Sequence, residues 1–168
     1  MSNNPNDDKK SALEQLRKFT DDVKIAMFSA IEADKITSRP MTTQDVDDDA
    51  NIWFFTSKKT DTASEAKANS SITLIYAHPG KNTYLCVDGV ANIVEDREKI
   101  KQLWSPAMKA WFPEGEEDPD LTLVKVTTSE AAYWDSAASK MVVFFSMIKA
   151  IVKGEEYNEG EHGKLDLK

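Results

Sequence analysis

Cysteine is nearly absent from this 168-residue chain: Cys86 stands alone and cannot close an intramolecular disulfide. Histidine is almost as scarce, with only His78 and His162. Paired-cysteine and HExxH metal sites are thereby excluded, and a Ser-His-Asp relay would have to use His78, in the turn before Pro79. The glycines form neither GxGxxG nor GxxxxGK[ST], so Rossmann-type and nucleotide-hydrolysing loops are excluded too. No apolar run approaches the roughly 20 residues that cross a bilayer. The longest, Met141 to Val152, is broken by Ser146 and Lys149, and no membrane association is expected. Positive charge is in deficit, with 21 Lys and Arg against 29 Asp and Glu and a formal net charge of −8. Such a field repels polyanions, so no nucleic-acid partner is expected and any phosphate site must be local. A basic-then-apolar N-terminal segment is also missing, and the expected location is the cytoplasm.

What is present suits one folded unit. Apolar residues make up 40% and charged residues 30%, near the globular norm. Residues 1–8 and 154–168 are polar or charged and read as flexible tails around a single domain at 9–153. Ser11 is a plausible N-cap with Glu14 as its capping-box partner, and Leu13, Leu16 and Phe19 follow at helical spacing. Strands are expected at Val23–Ile31, Lys35–Thr43 and Ile52–Thr56, then a helix at Thr60–Ala68 and strands at Ile72–Tyr76 and Tyr84–Val94, with Gly89 marking a bulge. Glu95–Trp104 and Pro106–Trp111 read as short helices. Leu121–Thr127, Ala131–Asp135 and Met141–Phe145 return to strand character. Meanders interrupted by short helices indicate an α+β, mainly β barrel rather than a parallel sheet. The acidic run Asp45, Asp47, Asp48 and Asp49 reads as a solvated hairpin loop, and we assign it no function.

Two groupings carry chemistry. Arg39, Thr42, Thr56, Ser57, Lys58, Lys59, Thr60 and Thr62 surround two neighbouring strands and the next helix start. A guanidinium fork, hydroxyl donors and a helix N-terminus together hold phosphate. The same composition describes a solvated strand edge with an ordinary helix cap, which composition alone favours. The second grouping is aromatic: Trp53, Phe54, Phe55, Trp104, Trp111, Phe112, Tyr133 and Trp134. Such rings line pockets for planar ligands, and they equally fill cores and dimer interfaces.

Four separated motifs then occur in order: Arg39-Pro40-Met41; Ile52-Trp53-Phe54-Phe55-Thr56; Trp104 through Ala110-Trp111-Phe112-Pro113-Glu114-Gly115 with Asp118-Pro119; and Tyr133-Trp134-Asp135. On these the chain resembles the general stress protein branch of the pyridoxamine 5'-phosphate oxidase-like flavoproteins, from about Leu16 to Phe145. The resemblance implies a six-stranded antiparallel Greek-key split barrel with short flanking helices. It implies a homodimer holding flavin mononucleotide (FMN), or alternatively FAD, at the subunit interface. Arg39 would meet the flavin phosphate or ribityl chain, and Pro40 and Met41 would present backbone to the ring. Thr56, Lys58, Thr60 and Thr62 would continue the cradle. Trp111 and Trp134 would reach the ring from the other subunit. No catalytic side chain and no metal is implied.

Two positions depart from the family pattern. Thr62 stands where a phosphate-neutralising lysine is common, with Lys58 or Lys59 as candidate substitutes. Asp88 stands where a small hydroxyl residue is usual, and it is expected to point outward or meet a lysine. The C-terminal segment offers Lys149, Lys153, Lys164 and Lys168 but no arginine, which argues against oxidation of pyridoxamine phosphate itself. An FMN-dependent oxidoreductase acting in stress, a flavin carrier or sensor without turnover, and a structural dimer that has lost its flavin all fit the resemblance. The redox partner is not readable from the sequence.

Overall fold

In a computed structural model, residues 5–32, 34–67, 70–135 and 138–143 are described. The chain opens with a helix, α1, at Pro5–Val23. It starts earlier than the sequence suggested, so Pro5–Asp8 is helical and Ser11 lies inside the helix rather than capping it. Proline and acidic residues are at home in a first helical turn, a signal that Pro5, Asp7 and Asp8 carried. Ala12 and Leu16 are buried against the barrel, and the buried Thr20 hydroxyl donates back to the Leu16 carbonyl at 3.0 Å. Lys24, in the left-handed region at φ 59°, ends the helix, its N–H meeting the Thr20 carbonyl at 2.7 Å.

The strands are β1 (Ile25–Glu32), β2 (Lys35–Val46), β3 (Ile52–Ser57), β4 (Ser71–His78), β5 (Thr83–Val94), β6 (Leu121–Asp135) and β7 (Ala138–Val143). All pairings are antiparallel, in the order β3-β2-β1-β4-β5-β6-β7. A further β3–β6 pairing closes the first six into a barrel. After the β1-β2-β3 meander the chain crosses over through α2 (Asp61–Lys67) and lays β4 beside β1, the Greek-key return. The barrel is split because β6 is shared: Leu121–Val126 face β3, whereas Ala132–Asp135 face β7.

Three strands differ from the sequence reading. β2 runs on to Val46 because its polar end pairs with β3 through Thr43, Asp45 and Val46. The two strands expected at Leu121–Thr127 and Ala131–Asp135 are one, β6, joined through a bulge. β7 begins at Ala138; the Phe144–Phe145 end of that expected strand, residues 1–4 and the tail 154–168 lie outside the described residues.

Two cores hold this frame. Phe28, Ile52, Phe54, Leu74, Tyr76, Val87, Val124 and Val126 fill the barrel. Trp53, Phe55, Leu121 and Leu123 point the other way, into a second cluster with Ile100, Met108 and Phe112. That cluster is roofed by α3 (Arg97–Leu103) and the 3-10 turn Pro106–Ala110. β3 is thus covered on both faces, which explains why Ile52–Phe55 is continuously apolar instead of alternating. Asp96 caps α3, accepting the Lys99 N–H at 3.0 Å.

Candidate functional site

Residues opposite one another in an antiparallel sheet share a face, so the register assigns direction. Arg39 stands opposite Phe28, and Met41 opposite Ala26, both buried barrel residues. Arg39 and Met41 therefore point to the inner side, and Pro40 to the outer. The β2–β3 pairing begins only at Thr43, so among the described residues Lys35–Thr42 has no strand beyond it on that side. Among the described residues, the backbone edge beside the guanidinium is not paired with another strand.

Arg39 Nη1 donates to Thr62 Oγ1 at 2.8 Å. Thr62 is buried, at 3% exposure, in the first turn of α2. The Thr56 and Thr60 hydroxyls meet at 2.9 Å, and Thr60 also donates to the Ser57 carbonyl at 2.8 Å. Thr60 receives the Ala63 and Ser64 N–H groups on its carbonyl oxygen at 3.1 and 3.3 Å. Those amides at the helix start thus already have an acceptor. Arg39, Thr56, Thr60 and Thr62 form one connected region, as the sequence grouping suggested.

Lys58 and Lys59 turn elsewhere. Lys58 N–H meets the Asp120 carbonyl at 2.8 Å, its ammonium pairs with Glu95 at 3.0 Å, and Lys59 pairs with Asp120 at 2.5 Å. Asp120 and Glu95 raise no sequence signal, because only the closure of β3 on β6 brings them to this turn. Asp88 is exposed and accepts the Thr73 hydroxyl at 2.5 Å. It points outward, as expected, and meets a hydroxyl rather than a lysine.

Of the aromatic set, Trp53, Phe54, Phe55 and Phe112 are buried in the two cores. Trp104 stacks edge-on to Phe55, with centroids 6.0 Å apart. Trp111 and Trp134 are different, at 68% and 43% exposure. Trp134 faces Tyr84 across β5–β6 on the outer side of the sheet, beside a row running Met27, Ile75, Cys86 and Ala132. Met27 and Ile75 in that row, with Ile25 nearby on β1, are exposed apolar side chains. Burial, with a smaller effect from Asp88, pushes the Cys86 thiol pKa up.

Within one chain, then, Arg39 looks inward while Trp134 looks outward. A cavity of about 390 Å³ does open between α1 and the ends of β5 and β6, lined by Leu16, Phe19, Leu85, Ala131 and Tyr133 among others. None of the residues lining it belongs to the Arg39–Thr62 region. The acidic run is more structured than the solvated loop expected of it: Asp45 lies in β2 and accepts from Lys99 at 3.1 Å, and Asp47 accepts the N–H groups of Asp49 and Asn51 at 3.0 and 2.8 Å and Trp53 Nε1 at 2.9 Å. No cluster of three or more metal-ligating side chains occurs among the described residues, and no helix there is long and apolar enough to cross a membrane.

Residues 11–158 match the family described as pyridoxamine 5'-phosphate oxidase like, and the chain belongs to that family. General stress protein 26 of Bacillus subtilis is 28% identical over 106 residues, 61% of this chain and 74% of that protein. Protein bli-3 of Neurospora crassa is 22% identical over 113 residues, 62% of this chain but only 54% of its own length. The chain thus spans about half of bli-3. Among solved structures, a Clostridium acetobutylicum protein related to general stress protein 26 superposes with a TM-score of 0.68 at 24% identity, covering 80% of this chain and 94% of that one. The general stress FMN/FAD binding protein of Xanthomonas citri gives 0.67 at 24% identity, covering 79% and 94%. These structural likenesses establish the split-barrel fold.

The residues fit a flavin. An open strand edge supplies hydrogen-bonding backbone for a planar ring's polar rim, and Arg39 beside it supplies a cation for a phosphate. When bound, the flavin would supply hydride or electron transfer. Arg39, the Pro40–Met41 backbone and the threonine cluster are the groups that would hold and orient it.

Proposed function

We propose that this chain is an FMN-binding homodimer whose flavin site is completed by the second copy, and that it works as a flavin-dependent oxidoreductase in a cytoplasmic stress response. The carrying observation is the opposition of faces. Arg39 lies on the inner side of β2, while Trp134 and the exposed Met27 and Ile75 lie on the outer side. One chain does not close a pocket around both, and two copies meeting on the apolar outer face would bury that face and offer each other's tryptophans. The Xanthomonas citri protein of the same fold is an FMN/FAD binding protein, and several similar proteins are general stress proteins, which supports the cofactor and the setting.

The visible spectrum of protein purified with and without added FMN tests this reading. The expected result is paired near-ultraviolet and blue bands retained at one flavin per subunit, bleached by a nicotinamide donor and recovered with an acceptor over repeated turnovers. Retained flavin that no donor reduces would make the protein a carrier. Colourless protein after both treatments would overturn flavin binding altogether.

A further inference from the structure

We propose that Thr62 is a positioning residue that serves the phosphate of the bound nucleotide through Arg39; this rests on the flavin reading above. An arginine on a sheet face has four rotatable side-chain bonds, and fixing them for one ligand costs entropy. An acceptor that is itself immobile removes part of that cost before the ligand arrives. Thr62 is such an acceptor. It is β-branched and stiff within a helix, it is 3% exposed, and it receives Arg39 Nη1 at 2.8 Å. Its helix is in turn tied to β3 by the Thr56–Thr60 hydroxyl pair at 2.9 Å and by the amides that Thr60 receives. The path runs from β3 through Thr60 and Thr62 to a guanidinium on β2.

The chemistry of the acceptor matters as much as its place. A carboxylate at position 62 would bring a negative charge beside the phosphate, whereas a hydroxyl takes one guanidinium N–H and adds none. Burial at 3% exposure also makes Thr62 a poor direct contact for a ligand. The two lysines of the neighbouring turn are paired with Glu95 and Asp120, so the phosphate's affinity would depend on how Arg39 is held.

The test compares affinity for FMN with affinity for riboflavin, which lacks the phosphate, by flavin fluorescence quenching. Wild type, Thr62→Val, Thr62→Ser, Arg39→Gln and the Arg39→Gln/Thr62→Val pair are measured, with Thr62→Ala replacing the valine variant should that not fold. The expected result is that Thr62→Val lowers FMN affinity about tenfold with riboflavin unchanged, that serine restores it, and that the double variant is no weaker than Arg39→Gln alone. Equal loss for FMN and riboflavin, losses that add in the double variant, or no loss at all would overturn the positioning role. A wild type that binds FMN no better than riboflavin would overturn the phosphate reading itself and the proposal with it.

Discussion

A Cβ placed on Gly89 would lie 2.6 Å from the carbonyl oxygen of Thr127 and 2.9 Å from Val126 Cγ1. This close approach coincides with the bulge, where Asp88 faces Glu130 and Gly89 faces Thr128, leaving Ser129 as the extra residue on β6. The contact is with backbone, so a larger residue cannot be accommodated by a rotamer change. Gly89→Ala is expected to destabilise the fold by about 1 to 3 kcal/mol, the usual range for overpacking. In urea this should appear as a lower midpoint with an unchanged slope.

Asp47 makes stability depend on acid. Burial alone would raise its pKa, but the hydrogen bonds from Asn51 and Trp53 outweigh that and hold it below the ordinary carboxylate value. The unfolded chain therefore binds the proton more readily than the folded one. The stabilisation is fully present above the unfolded carboxyl pKa, near 4, and is lost as pH falls through the lower folded value. Asp47→Asn is expected to lower Tm at pH 7 and to flatten the fall in Tm between about pH 5 and pH 3. Thermal melts of both proteins across that range, followed by Trp fluorescence, check it.

The fold was legible where local pattern and tertiary environment agree. Strand alternation in Ile72–Tyr76 and the glycine in Tyr84–Val94 pointed to elements the structure contains. Reading failed where polar residues sit inside. Thr128 is fully buried and donates to the Ala50 carbonyl at 3.0 Å, so a search for apolar runs cuts β6 in two at a point where the chain is continuous. The strand expected at Lys35–Thr43 likewise stopped short of polar Gln44 and Asp45, which carry β2 on to buried Val46. At the candidate site, the residue types were readable but their pairing was not. Arg39 and Thr62 are 23 positions apart, and only the crossover through α2 brings them together.

The exposed outer row predicts how the oligomer can be broken. Ile75 lies between Met27 and Cys86 and is half-exposed in the single chain, so replacing it should leave the barrel folded. If that face joins two copies, Ile75→Glu places an unpaired carboxylate in the interface, at a cost of several kcal/mol. The expected result in sedimentation is a shift from dimer to monomer, with dimer affinity reduced by about a hundredfold or more. Flavin retention should fall in parallel, because the second copy's tryptophans leave with it. A variant that stays dimeric would place the interface elsewhere.

Lys58 and Arg39 separate two kinds of positive charge. Lys58 is partly exposed and pairs with Glu95, itself mostly exposed, so the pair is worth at most about 1 kcal/mol. Arg39 is half-buried on the inner face and tied to α2. If Arg39 meets the flavin phosphate, replacing it removes a charge-assisted hydrogen bond, about 1.5 to 3 kcal/mol or a tenfold to hundredfold loss of FMN affinity. Lys58→Ala should change that affinity by less than about threefold, since its ammonium is turned toward the far end of β5. Titrating both variants at low and high salt distinguishes the cases. The Arg39→Ala deficit should persist in high salt, where exposed charges are screened, and any Lys58→Ala deficit should vanish. Equal deficits for the two would mean that Lys58 leaves Glu95 to join the phosphate site when the ligand binds.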